Sequence, residues 1–146
     1  MGSRTGRTDP IVETLIAEEL SASETYRQAL ELSDERGRGD LRRLENEHRQ
    51  AACVLRERWR GRAPSARGPW GDWSRAIGWA ARAGGGDAAI EALMACEERG
   101  VEEYERALEC PRLDPELKRL ISSTLLPQAR SHLPVLDRFL RTTRRL

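Results

Sequence analysis

The chain has 146 residues, of which 34% are charged and 5% aromatic. This composition is typical of a single helical domain with an aliphatic core, and it excludes a β-sheet protein, which needs more aromatic and β-branched residues. The formal net charge is +1, so we expect no nucleic-acid partner. We expect no membrane partner either, because no stretch approaches the ~20 apolar residues that cross a bilayer. The polar N-terminus lacks a secretion signal, which favours a cytoplasmic location.

Two helices are predicted in the first half of the chain, after a leader at residues 1–9 that we expect to be disordered. In the first helix, apolar residues recur at helical spacing from the end of the leader to about Asp34. Gly37 and Gly39 are expected to break this helix. Asp40 is then expected to cap the second helix.

The connection between helices two and three contains three of the four tryptophans, Trp70, Trp73 and Trp79. We predict a short extra helix here, whose indoles cover one end or side of the bundle. The alternative interpretation is an exposed aromatic patch, the segment Trp70–Trp79, through which the protein forms a homo-oligomer or binds a protein partner.

Two further helices are predicted in the second half of the chain. The third ends at Cys110, which a proline follows, and Asp114 caps the fourth. Pro127 and Pro134 lie inside the fourth helix. Because each proline removes a backbone donor, we expect a kink or a break between two helical halves.

The lengths of the connections predict how these helices are arranged. Short connections join helices one and two, and helices three and four, so each pair is expected to be antiparallel. A longer crossover joins helices two and three. The prediction is therefore one all-α domain over residues 10–146, a four-helix bundle with a short extra helix in its crossover.

A faint internal repeat relates the first and third helices. Glu19 precedes Tyr26 by seven residues, and Glu97 precedes Tyr104 by the same interval. Seven residues correspond to about two helical turns, so each pair lies on one inward face of its helix.

Acidic and imidazole groups on separate helices form a candidate metal site. A carboxylate-bridged metal pair takes one Glu from each of two helices and Glu-x-x-His from each of the other two. Helix one offers Glu19 and helix three offers Glu97. Helix two offers the literal motif Glu45-Asn-Glu-His48, and the inward face of helix four contains His132.

Helix four departs from this pattern. Ala129 stands three residues before His132, so the second bridging carboxylate is missing. Gln128 precedes His132 by four residues and could approach the site with its amide oxygen.

These residues resemble the ferritin-like superfamily. The run from Glu19 to Tyr26 is similar to the first-helix signature of ferritins, in which a metal-binding Glu precedes a core Tyr by two turns. The resemblance implies a ferritin-like antiparallel four-helix bundle and a cofactor of iron or manganese. It also implies that Glu45 is a bridging carboxylate, that Glu19 and His48 are terminal ligands, and that Glu97 serves the second metal.

The overall plan also resembles an uncharacterised bacterial family of ferritin-like four-helix bundles, a domain of unknown function. A Trp-containing segment before the Gly-rich hinge carries this resemblance, together with the runs Asp87–Ile90, Cys96–Gly100 and Tyr104–Leu108. Proteins of this family often lack a full ligand set, which implies a partly degenerate carboxylate/histidine site here.

Two functions stay open at this point. The first is a ferritin-like metalloprotein, whose catalytic activity the sequence does not decide. The second is a non-catalytic bundle with a buried, metal-free polar network, acting through self-association or a protein partner. Both functions satisfy the same constraint, because several buried carboxylates must be neutralised by metal, Arg or protons. The candidate metal ligands are Glu19, Glu45, His48, Glu97, His132 and Gln128, with Tyr26 and Tyr104 beside them.

Overall fold

The computed structural model describes residues 9–33, 35–59, 64 and 86–144. This part of the chain contains helices and no strand, which confirms the all-α prediction, and none of its helices is long and apolar enough to cross a membrane. The predicted extra helix and the segment Trp70–Trp79 lie outside the described residues, as do residues 1–8 of the expected leader. The helices are α1 (Asp9–Leu32), α2 (Glu35–Glu57), α3 (Gly86–Leu108), α4 (Pro115–Leu120) and α5 (Leu126–Arg144), with a π-helical turn (Ile121–Leu125) between the last two.

The helices pack in two main pairs, α1 with α2 and α3 with α5, and narrower contacts join α1 to α3 and α2 to α5. Their apolar faces enclose two separate clusters of buried side chains. Burial of these aliphatic faces supplies most of the helices' stability, since isolated helices of this length are marginal in water. The first cluster includes Ala22, Tyr26, Leu44, Leu93 and Leu136, and the second includes Ile16, Leu55, Tyr104, Ile121 and Leu125.

A layer of polar side chains separates the two clusters. It contains Glu19, His48, Glu97 and His132, all of which are buried. Each comes from a different helix and lies, along that helix, between residues of the first cluster and residues of the second. The helices α1, α2, α3 and α5 thus each place one polar side chain at the same level of the interior.

The junction between α1 and α2 corrects the sequence prediction. Helix α2 begins at Glu35 and continues through Gly37 and Gly39, so the expectation that these glycines break the helix and that Asp40 caps the next one was wrong. Gly37 is buried against Phe139 of α5, and an added Cβ would lie 1.8 Å from the Cε2 atom of that ring. Gly37 therefore permits close packing of two helices rather than ending one.

Alanine substitutions at these two glycines are expected to have opposite effects. Gly37→Ala should lower the free energy of unfolding by about 1–2 kcal/mol, because the Phe139 ring must move out of its packed position. Gly39→Ala is the matched control: its Cβ would meet no described atom within 4 Å, so it should stabilise the helix by up to about 1 kcal/mol. Urea unfolding measures both changes, and a stabilised Gly37→Ala protein would contradict the packing role.

The boundaries of α3 and α4 lie close to those expected from the turn residues. Helix α3 ends at Leu108, two residues before Cys110. Asp114 caps α4 by accepting the backbone N–H of Glu116 at 2.9 Å, which confirms its predicted role.

The two prolines do not break the last helical segment. The backbone keeps right-handed helical angles at Ile121 and Leu126, where the π turn meets α4 and α5. In this turn the N–H of Leu126 reaches back five residues to the carbonyl of Ile121. Pro127 follows directly, and since a proline ring crowds the carbonyl four residues earlier, the wider turn accommodates it. Pro134 lies inside α5. Of the expected kink or break, the break is absent, and the change of helical pitch lies in the π turn before Pro127.

Candidate metal centre

Helices α1 and α3 exchange hydrogen bonds between their tyrosines and glutamates. The Tyr26 hydroxyl donates to Glu97 Oε1 at 2.5 Å, and the Tyr104 hydroxyl donates to Glu19 Oε1 at 2.6 Å. Each tyrosine therefore donates a hydrogen bond to the glutamate of the other helix. Burial, and then the adjacent carboxylate, raise the pKa of both tyrosines well above 10, so both stay neutral hydrogen-bond donors.

His48 of α2 lies between these two carboxylates. Its Nδ1 is 2.7 Å from Glu19 Oε2, and its Nε2 is 2.7 Å from Glu97 Oε1. Burial opposes a charged imidazole, but attraction to Glu97 and then to Glu19 outweighs it and raises the pKa of His48 from 6.5 to about 10. In the metal-free protein at neutral pH, His48 is thus a cation that donates to both carboxylates.

His132 of α5 approaches the same carboxylate from another side. Its Nδ1 lies 3.2 Å from each carboxylate oxygen of Glu97, and its Nε2 lies 2.8 Å from Glu47 Oε2. The rings of His132 and His48 meet edge to face, with centroids 4.8 Å apart. Both imidazoles therefore direct one nitrogen to Glu97 and the other to a different carboxylate.

Glu97 is the centre of this network, and its side chain is almost fully buried. It accepts hydrogen bonds from Tyr26, His48 and His132. Burial alone would raise its pKa, but the two imidazoles outweigh that effect and hold the pKa of Glu97 well below its usual range. Glu97 is therefore an ionised carboxylate although it is buried.

His48, Glu97 and His132 form a group that could hold a metal ion. Each offers one ligand atom, and these atoms all lie within 4.8 Å of one another. Bonds of about 2.1 Å keep two ligands of one ion within about 4.2 Å, so modest side-chain movement suffices. Two imidazoles and one carboxylate form a known donor set for zinc and for non-haem iron(II).

Three other predicted ligands lie outside this group. One of them, Glu19, instead contacts the outer Nδ1 atom of His48 at 2.7 Å. Glu45 lies at the edge of the interior, where Arg49 Nη2 is 3.3 Å and Arg27 Nε is 4.0 Å from its Oε1. Gln128 is half-buried. Its neighbour Ala129 is buried and lines a small cavity beside Glu97.

Glu47 belongs to the network, although the spacing argument did not select it. It immediately precedes His48, and adjacent residues point about 100° apart around a helix, so Glu47 cannot share the face that His48 presents. It instead reaches the neighbouring helix α5 and the Nε2 atom of His132. The helical period predicts which face of a helix points inward. It does not predict which other helix packs beside that face, because that depends on the tertiary structure.

Comparison with known proteins finds no protein-family model and no curated protein that matches this chain. Membership of the ferritin-like superfamily accordingly stays a prediction. Any functional assignment must come from the geometry of the described residues.

Proposed function

We propose that this protein is a ferritin-like bundle that binds one divalent transition-metal ion, iron(II) or manganese(II), through His48, Glu97 and His132. One observation carries the proposal. Both imidazoles direct a nitrogen to Glu97, and the opposite nitrogen of each is held by another carboxylate, Glu19 or Glu47. Metal-binding histidines almost always have such a partner on the second nitrogen, because it fixes the tautomer and the ring orientation.

The charge of the site also favours a divalent cation. Three carboxylates, Glu19, Glu47 and Glu97, surround the two imidazoles. A proton on an imidazole offsets one negative charge, whereas a divalent ion offsets two. Because buried charges are stable only when paired, the ion reduces the unbalanced negative charge in the interior.

The same residues support one metal ion rather than two. The carboxylate of Glu45 points to Arg27 and Arg49, which neutralise it at the edge of the bundle. Ala129 occupies the position three residues before His132, where a second bridging carboxylate would stand. A second ion would therefore lack two of the ligands that a carboxylate-bridged pair needs.

Helix direction supports the ferritin-like arrangement. Tyr26 follows Glu19 in α1 and Tyr104 follows Glu97 in α3, yet each tyrosine meets the other helix's glutamate. This crossed pairing is expected when α1 and α3 run in opposite directions. Short connections after α1 and α3, with a long one between α2 and α3, fit the same topology.

A bound iron or manganese ion would supply redox chemistry that the side chains lack. The protein's own residues have positioning roles. Glu19 and Glu47 orient the imidazoles, and the Tyr26 hydroxyl orients the carboxylate of Glu97. The apolar clusters on either side of the layer bury the site within the interior.

Calorimetric titration of the metal-free chain with manganese(II), or with iron(II) under anaerobic conditions, tests the proposal. We expect one ion per chain, and a gain of about 2.7 kcal/mol in the free energy of unfolding when the free metal reaches 100 times its Kd. Glu97→Gln should abolish binding, because it removes the central anionic ligand. Glu45→Gln is the matched control and should bind one ion as the wild type does.

A metal-free polar network is the second candidate, and one observation favours it. Every buried side-chain nitrogen or oxygen in the described part of the chain has a hydrogen-bond partner. The protonated His48 already joins two carboxylates, so the polar network is fully hydrogen-bonded without an ion. A stoichiometry far below one, with unfolding temperatures unchanged by metal or chelator, would establish this candidate and eliminate the metalloprotein.

A further inference from the structure

A cavity of about 20 Å³ lies directly beside two of the three candidate ligands. His48 and Glu97 line it, together with Glu19 and Tyr104 of the polar layer. A cavity of roughly 10–15 Å³ by this kind of measure already holds one water molecule. This one therefore accommodates a water-sized or diatomic molecule, next to the metal-binding group.

Two small residues from the neighbouring helices α3 and α5 line this space. Ala129 of α5 lines the cavity where a longer side chain would fill it, and Gly100 of α3 lines another wall. Gly100 lies inside α3, where glycine is less stable than alanine. A Cβ at Gly100 would meet no described atom within 4 Å, so close packing does not explain the glycine. Gly100 lines the cavity without adding a side chain to it.

A larger surface groove adjoins the cavity. The groove has a volume of about 270 Å³ and runs between the start of α1 and the end of α3. Leu15 and Glu103 line both the groove and the cavity. The cavity itself is partly open between α1 and α3, where its lining residues Glu18, Gly100 and Glu103 are half-exposed, so a small molecule can approach His48 and Glu97 from that side.

The walls of this passage carry negative charge. Glu18 and Glu103 line the cavity at its half-exposed side, and Glu19 and Glu97 line it inside. Arg106 Nη1 lies 3.3 Å from Glu103 Oε1 and offsets one of these four charges, so the net charge of the walls stays negative. Three carboxylates of the centre already outweigh the charge of a divalent ion. Like charges within a Debye length repel, so anions are disfavoured and neutral molecules are not.

We propose that this cavity, held open by Gly100 and Ala129, binds a small neutral ligand of the metal, of one or two heavy atoms, and disfavours anions. The ligand class includes water and dioxygen. This inference rests on the proposed metal centre and adds a place for an exogenous ligand that reaches the ion through the passage between α1 and α3.

Nitric oxide and azide are suitable probes, because one is neutral and the other anionic. The 146-residue chain is loaded with iron(II), its metal content is measured, and each probe is titrated anaerobically by absorbance. Nitric oxide should bind the wild type and Gly39→Leu equally. Gly100→Leu should weaken or slow its binding at least tenfold at unchanged metal content. Gly39 is the matched control, since its Cβ also meets open space but it lies in α2, away from the cavity.

Further variants test the wall formed by α5 and the charge of the passage. Ala129→Val should weaken nitric oxide binding as Gly100→Leu does. The double variant Glu18→Gln/Glu103→Gln should increase azide affinity at least threefold and leave nitric oxide affinity unchanged. If the iron-loaded wild type binds no nitric oxide, or if all variants bind it equally, the cavity is not the ligand site. Failure of the wild type to bind iron would overturn the metal centre and this inference together.

Discussion

Glu97→Ala is expected to lower the free energy of unfolding by about 3–5 kcal/mol, measured by urea denaturation of the metal-free protein. Glu97 accepts hydrogen bonds from Tyr26, His48 and His132 within the closed interior. Its removal leaves a protonated imidazole with only one carboxylate and leaves a tyrosine hydroxyl without its acceptor. Unsatisfied buried donors and uncompensated buried charge are among the costliest single defects in a protein.

Glu45→Ala provides the matched comparison, because Glu45 is also a buried glutamate. The Glu45 partners Arg27 and Arg49 have side chains that are 66% and 56% exposed. Water screens such pairs, so this variant should cost less than about 1 kcal/mol. Equal losses for Glu45→Ala and Glu97→Ala would show that Glu97 is not the centre of the network.

The stability of the metal-free protein should fall steeply between pH 6.5 and about 10. Folding raises the pKa of His48 from 6.5 to about 10, so its contribution is fully present below pH 6.5 and is lost as the pH rises to the folded value. Glu97 acts in the opposite sense, since folding lowers its pKa. Its contribution is present above its ordinary value of 4.5 and is lost as the pH falls below it. Maximum stability is therefore expected between about pH 4.5 and 6.5.

Proton NMR can check this directly, because the chain contains only two histidines. The His48 ring resonances, identified by their absence in His48→Gln, should not titrate near pH 6.5 and should move only toward pH 10. Urea unfolding of the wild type across this range should lose several kcal/mol. A His48 resonance that titrates normally near 6.5, with flat stability, would contradict a cation held between Glu19 and Glu97.

Much of the polar layer was predictable from helical period alone. Glu19, His48, Glu97 and His132 each recur with the apolar residues of their helix, and all four are buried. The period works here because every helix buries one continuous face, so a polar residue within that face must enter the interior. The spacing of Glu19 to Tyr26 and of Glu97 to Tyr104 likewise anticipated the shared inward faces.

The remaining features depend on neighbours that a single helix does not specify. From the sequence, Gly37 was expected to break a helix. In the structure its lack of a side chain leaves room for the ring of Phe139, which is distant in sequence. Glu45 matched a ligand motif, yet exposed arginines pair with its carboxylate. Glu47 lies one residue before His48 and enters the network only because α5 packs on that flank. In each case the deciding contact comes from another part of the fold.

An anomalous-scattering map of crystals grown with manganese(II) would test the central claim most directly. A single peak is expected at about 2.0–2.3 Å from His48 Nε2, His132 Nδ1 and a carboxylate oxygen of Glu97, with Glu19 and Glu47 still bonded to the outer imidazole nitrogens. An interior without a peak, a pair of peaks, or a peak coordinated by Glu45 would contradict a single ion bound by two histidines and one glutamate.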